Sequence, residues 1–330
     1  MNLRRFIPDR FTNLLILAVL IATVLPVQGQ SAVAMSWVTN LAIALLFFLH
    51  GSRLSREAII KGASHWRLHT AIFSTTFIFF PIMGVVLGPV LRPFITPELY
   101  LGVLYLCILP ATVQSAIAFT SIARGNVAAA VCSASASSII GIFLTPLLVA
   151  FLLAEYSSQI PEFNLAAIGK IVMQIFVPFV VGHLLRPWLG GWIIRNASML
   201  RWVDQGTILL VVYAAFSQAV SEGLWQQTPL YALISVTVIS CIMLAIVLAF
   251  THYLGKWVGF SREDQITLVF GGSKKSLASG LPMAQVIFAG QAIGAIVLPL
   301  IIFHQIQLMV CAVLANRYAK QSEEVKSRSS

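Results

Sequence analysis

Apolar residues fall into ten long runs, near 11–27, 33–50, 68–91, 98–122, 127–153, 167–185, 204–221, 230–254, 265–288 and 292–315. A helix needs about 20 apolar residues to cross a bilayer. The pattern therefore predicts an all-α integral membrane protein of ten transmembrane helices joined by short loops, forming one membrane unit over residues 1–330. The first run has features of a signal peptide: Arg4 and Arg5, an apolar stretch from Leu14 to Leu25, and Ala32-Val33-Ala34. It is expected to be a span instead, because its removal would leave an odd number and break the symmetry described below.

Composition supports the same class. Of 330 residues 58% are hydrophobic and 10% charged, with mean hydropathy +0.90, against about 25% charged residues in soluble domains. A soluble enzyme, a disordered chain and a disulfide scaffold are excluded. The net charge of +10 would point to nucleic acid in a soluble protein. Here the basic residues lie in short loops, where they set orientation, so no nucleic-acid partner is expected. Arg4, Arg5 and Arg10, then Arg53, Arg56, Lys61 and Arg67, then Arg124, Arg186, Arg195, Arg201, Lys256 and Arg262, and finally Arg317, Lys320, Lys326 and Arg328 all fall on one side. The other side has only Arg92 and Lys170. This asymmetry predicts a multi-pass protein of the bacterial inner membrane with both termini cytoplasmic, including a tail over 316–330. Cys107, Cys132, Cys241 and Cys311 sit inside apolar runs and are expected to be small hydrophobes, not disulfides or metal ligands.

Two basic residues remain. Lys274 and Lys275 fall in the middle of the ninth run, ten residues past Asp264 in the case of Lys274, or about 15 Å into the membrane at the helical rise. All eleven carboxylates fall in loops or at span ends, so none is expected at the midplane beside the lysines. A basic residue at the centre of a membrane helix costs about 2.5–3.5 kcal/mol even on mild scales, and intramembrane charges mark functional sites. Two readings stand: an anchor or switching charge for an anionic substrate, or a lysine that pins a broken helix by bonding its loose carbonyls.

The chain also carries signs of duplication. Thr145-Pro146-Leu147-Leu148 in the fifth run resembles Leu298-Pro299-Leu300-Ile301 in the tenth. Pro110-Ala111-Thr112-Val113-Gln114-Ser115 in the fourth corresponds to Gly271-Gly272-Ser273-Lys274-Lys275-Ser276 in the ninth. Paired irregularities in two halves of opposite orientation predict a 5+5 inverted repeat with broken, crossing helices four and nine, the arrangement that builds secondary-transporter sites. A proline removes a donor and glycine loosens the turn, and bare backbone is tolerated only in protein or beside a polar cavity. The small-residue stretch 128–138 lets the fifth helix approach closely. Candidate substrate- or ion-binding residues are Thr112, Gln114 and Ser115, Ser138, then Ser273, Lys274, Lys275 and Ser276, and His304 and Gln307 on one stripe of the tenth helix. Gly271–Ser276 lacks the spacing of a phosphate loop, and no HExxH, CxxC or GxSxG is present. No enzyme activity, catalytic residue or bound cofactor is expected.

Ile108–Ser121 and Phe270–Ala278 resemble the bile acid:sodium symporter family, solute carrier family 10, and within it the branch of bacterial symporters and solute carrier family 10 member 7. The resemblance covers about residues 10–318. It implies a panel of spans 1, 2, 6 and 7, approximately 11–50 and 167–221, and a core of spans 3–5 and 8–10, approximately 68–153 and 230–315. It implies substrate between them, behind the crossing of helices four and nine, and Na+ held at Gln114, Ser115 and Ser138. Three positions depart from the better-known branch: Phe270 stands where an acid is expected, and Lys274 and Lys275 where side-chain amides are. Like charges 4 Å apart repel by roughly 4 kcal/mol at an effective dielectric of 20, so the departures weaken a sodium site and leave H+ as the other coupling ion. The expected function is secondary transport of a small organic anion by alternating access. The competing expectation is a non-transporting regulator of ion entry or membrane traffic.

Overall fold

A computed structural model describes residues 10–53, 65–153, 172–288 and 293–329. Arg4, Arg5, Arg56, Lys61 and Lys170, which entered the orientation argument, and the start of the sixth run lie outside the described residues. Among the described residues every regular element is helical. The main helices are α1 (Arg10–Val24), α2 (Gly29–Arg53), α3 (Trp66–Val86), α4 (Pro97–Ile108), α5 (Gln114–Ile122), α6 (Val127–Leu152), α7 (Val172–Arg195), α8 (Ala197–Ser221), α9 (Leu230–Trp257), α10 (Arg262–Gly272), α11 (Leu277–Ile287) and α12 (Ile293–Ser329).

Seven of these, α2, α3, α6, α7, α8, α9 and α12, are long and apolar enough to cross a bilayer. The other expected spans take different forms. The first is the 15-residue α1. The fourth is divided into α4 and α5, and the ninth into α10 and α11, so no single helix in either spans the hydrocarbon. Pro110 breaks the fourth because it has no N–H and disfavours helical geometry in the residue before it: Leu109 is extended, at φ −73° and ψ 154°. The tenth helix does not stop near residue 315. It runs on through the polar stretch to Ser329, where the sequence is rich in helix-forming Ala, Lys, Gln and Glu.

The surface is apolar. Leu41, Phe151, Trp188, Ile194 and Trp257 are all exposed, whereas Thr39, Thr145, Ser137, Lys274, Lys275 and Gln307 are buried. A lipid solvent gives this distribution, since it removes any penalty on outward apolar side chains and penalises outward polar ones. Tryptophans 37, 66, 188, 202 and 257 are more than half exposed, as interfacial anchors are.

The chain forms two compact units. The first takes the described residues of 1–54, 146–230 and 278–298. Its tightest packing is α2 against α7, where two glycines let the backbones meet. A Cβ on Gly51 would fall 1.9 Å from the Phe179 carbonyl oxygen, and one on Gly182 would fall 2.0 Å from that of Phe48. Arg53 pairs with the buried Asp204 in the same unit. The second unit takes the described residues of 55–145, 231–277 and 299–330. Its apolar clusters join Ala123, Ile266, Phe270, Cys311 and Ala315, and Leu68, Ile72, Ala129 and Leu268. All four cysteines are free.

Gly51→Ala should therefore destabilise the protein by about 3 kcal/mol, since the clash is with backbone and not a movable side chain. Gly191→Ala, where no atom lies within 4 Å of the new Cβ, should melt at or above the wild-type temperature. Thermal unfolding of the detergent-solubilised variants checks the contrast.

Candidate functional site

Both helix breaks lie in the second unit. Helix α4 ends at Ile108 and α5 begins at Gln114; α10 ends at Gly272 and α11 begins at Leu277. Each break strands backbone groups that water cannot reach, and every such group needs a partner. At the first break, the Ala111 N–H donates to the Ser137 hydroxyl at 3.0 Å. The Thr145 hydroxyl donates to the Ile108 carbonyl at 2.9 Å. The Ser276 N–H of the second break donates to the Pro110 carbonyl at 2.9 Å. Helix α6 supplies Ser137 and Thr145, and comes close because Gly141 faces Pro110: a Cβ there would lie 2.6 Å from the Pro110 ring.

The carbonyls of Cys107 and Leu109 have a different partner. The Lys275 ammonium donates to them at 2.7 and 2.8 Å, and to the Thr76 carbonyl at 2.8 Å. The freedom of the Thr76 carbonyl has a local cause. Residues Thr75–Phe79 of α3 form a π turn, in which carbonyl i meets N–H i+5. For Thr76 that position is Pro81, which has no N–H. Three carbonyl oxygens, freed by two departures from the α-helix, thus take all three donors of one ammonium. The Phe80 ring closes the cage, 4.2 Å from Nζ to its centroid.

The backbone of Lys275 is clamped as well. Its N–H donates to Gln307 Oε1 and its carbonyl accepts from Gln307 Nε2, both at 2.9 Å. This fixes the amide's orientation, because a backbone N–H can only donate. Gln307 Nε2 then faces His304 Nδ1 at 2.8 Å, and the Lys275 carbonyl lies 3.4 Å from the same ring nitrogen; toward the amide N–H, Nδ1 acts as acceptor.

Lys274 sits in different surroundings. Its ammonium donates once, to the Ser115 carbonyl at 2.9 Å. Two rings also face it, the Phe119 centroid at 4.0 Å and the Phe270 centroid at 5.2 Å, and the Cys311 thiol is near enough to interact. Phe270, at the position where the family resemblance leads one to expect an acid, presents a ring face. Both lysines are fully buried, and neither pairs with a carboxylate among the described residues.

Of the residues expected at the site, the fold gathers Thr112, Ser115, Lys274, Lys275, Ser276, His304 and Gln307. The Ser115 hydroxyl bonds Thr112 Oγ1 at 2.8 Å. Ser273 turns back to the Val269 carbonyl of its own helix, and Ser138 to the Ala134 carbonyl at 3.1 Å. Gln114, the first residue of α5, is exposed. The residues that sequence reasoning missed are Ser137, one position from Ser138, and the carbonyl of Thr76. Pro81 was the visible signal for the second; nothing in the sequence separates Ser137 from Ser138.

Removing the caged ammonium should leave three buried carbonyls without donors. Lys275→Met is predicted to cost about 3 kcal/mol or more, and Thr145→Val, which orphans one carbonyl, about 1 kcal/mol. Melting temperatures of the purified variants in one detergent would check both the size and the order.

A sequence model of the SBF-like CPA transporter family matches residues 9–320. An uncharacterized protein of Pseudomonas aeruginosa strain PAO1 is 60% identical over 98% of the chain and 97% of its own length. The protein named "Putative symporter YfeH" in Escherichia coli K12 is 52% identical over 97% of the chain and 96% of its own. Sodium/bile acid cotransporter 7 of Xenopus tropicalis is 30% identical over 84% of the chain and 81% of its own.

Proposed function

Since the chain belongs to the SBF-like CPA transporter family, we propose that it is a secondary transporter of a small organic anion in which a tethered lysine ammonium takes the place of a bound sodium ion. The observation that carries this reading is the cage of Lys275. Three carbonyl oxygens at 2.7–2.8 Å around one positive centre form the kind of oxygen shell that a hard cation seeks. The side chain fills that shell from within the chain, so no ion need be recruited there.

The second lysine has the looser shell, one carbonyl and two rings. Buried lysines readily change protonation state, and the one with fewer acceptors gives up its proton at the smaller loss. Lys274 is therefore the proton-carrying group and Lys275 the fixed charge. His304 is a poorer carrier, because its Nδ1 is already held as an acceptor by Gln307. The anionic class of substrate follows from the field: two ammonium groups without a paired carboxylate make the middle of the protein positive. Sodium at Gln114, Ser115 and Ser138 finds less support, since Ser138 bonds its own helix and Gln114 is exposed.

The architecture of this reading is the ten-span, 5+5 inverted repeat. Its support is the pair of breaks, 109–113 and 273–276, and the pair of prolines, Pro146 and Pro299, at which the two compact units divide. A panel of spans 1, 2, 6 and 7 and a core of spans 3–5 and 8–10 would move against each other to alternate access. The basic-residue asymmetry favours cytoplasmic termini, and the bacterial relatives favour the inner membrane.

In sodium-free proteoliposomes, an imposed pH gradient should drive uptake of at least one member of a panel of labelled organic anions. Lys274→Gln should abolish the dependence on pH, and Ser138→Ala should leave uptake within about twofold of wild type, as for a side chain that only bonds its own helix. A rate that requires sodium and collapses in Ser138→Ala would contradict the scheme. No uptake of any anion under any gradient would favour a non-transporting regulator.

A further inference from the structure

A second polar feature lies in the first compact unit. The turn between α1 and α2, the start of α2, the end of α8 and one residue of α11 surround a cavity of about 320 Å³. Its polar lining is Gln28, Ser36, Ser217, Gln218, Ser221, Glu222 and Gln285. Two of these carry buried oxygens that have no hydrogen-bond partner among the described residues: Ser217 Oγ and Gln285 Oε1. Ser217 is only 2% exposed. A buried polar atom left unpaired costs about 1–3 kcal/mol, so such atoms converging on one cavity mark a place where a ligand completes the bonding.

The sign of the lining restricts the ligand. Among the described lining residues Glu222 is the only charged group, and none is Lys, Arg or His. Gln218 Nε2 donates to Glu222 Oε1 at 3.0 Å, which orients the carboxylate and leaves its other oxygen able to accept. The cavity offers a carboxylate and two unpaired oxygens and no positive charge. An anion would meet repulsion from Glu222 and find no cation to offset it. An ammonium group would find a counter-charge and acceptors for its donors.

We infer that this cavity binds a small solute through an ammonium group, with Glu222 as counter-charge and Ser217 and Gln285 as acceptors. The inference does not rest on the transport scheme. It concerns other residues, and it holds whether the amine is a substrate, where with an anionic end it makes a zwitterion, or a ligand that is not carried.

The test is chemical access in the full, detergent-solubilised chain, which needs no transport. Cys241, the one exposed cysteine, is replaced by Ser, and Ala32→Cys is placed in the cavity wall. Trimethylammonium-ethyl and sulfonatoethyl methanethiosulfonates are compared, each rate normalised to its rate with a small neutral thiol. The cationic reagent should react about fivefold faster, as for unit charges roughly 8 Å apart in a water-like dielectric. Glu222→Gln should bring the two rates together. Ethanolamine at millimolar concentration should slow the reaction and propionate should not, and Gln285→Leu should remove the protection. Equal normalised rates, protection by propionate, or a cationic preference without protection by ethanolamine would each overturn the inference. Ser36→Cys, in the same wall, serves if Ala32→Cys does not fold.

Discussion

A backbone carbonyl that leaves its helix inside a membrane has to find a donor within the protein, because lipid supplies none. In the second unit three carbonyls do so at once, those of Thr76, Cys107 and Leu109, and one ammonium, that of Lys275, meets them all. The rest of the site follows from this demand. Ser137 and Thr145 take up the neighbouring groups. Gly141 lets α6 come near enough to place them. Gln307 clamps the lysine backbone so that the side chain reaches inward. Together with the Ser276–Pro110 bond, Lys275 ties one broken helix to the other.

The two lysines are neighbours in sequence and unlike in setting. Lys275 has an oxygen shell and Lys274 an aromatic one. An oxygen shell favours a permanent charge. A shell of ring faces and one carbonyl holds the charge less firmly, since cation–π contacts add only about 2 kcal/mol or so when desolvated. In the proposed scheme, one structural lysine beside one exchangeable lysine reconciles the two readings that the sequence leaves open, a pin for a broken helix and a switching charge. It also accounts for the lack of a carboxylate paired with Lys274 among the described residues: such a carboxylate would fix it in its charged form.

Much of this was legible in the chain. The breaks could be placed from Pro110 and from Gly271-Gly272, because proline and glycine act on the backbone directly and locally. The buried lysines stood out because charge in an apolar run is rare enough to need a reason. Gln307 and His304 were visible as a stripe at helical spacing. Other features depend on rotation about a helix axis, which sequence does not encode at single-residue resolution. Ser138 and Ser137 differ by about 100°, and it is Ser137 that turns to the break. Gln114 begins α5 and points outward. The π turn at Thr75–Phe79 shifts the register by one residue, and of the two features that free the Thr76 carbonyl only Pro81 shows in the sequence. The cavity lined by Ser217 and Gln285 joins residues 68 positions apart on separate helices, and no local pattern announces it.

Replacement of a bound cation by a tethered one is most directly tested by the response of stability to sodium. Melting temperatures of the wild type and of Lys275→Ala should be measured in detergent across a range of NaCl at constant ionic strength, with choline as the balancing cation. A caged ammonium predicts a wild-type melting temperature independent of sodium. In Lys275→Ala the emptied carbonyl cage is open to a small cation, and the lower melting temperature should rise with sodium or ammonium. A wild type that is stabilised by sodium in a saturable way, with the Lys275→Ala protein unresponsive, would contradict the account.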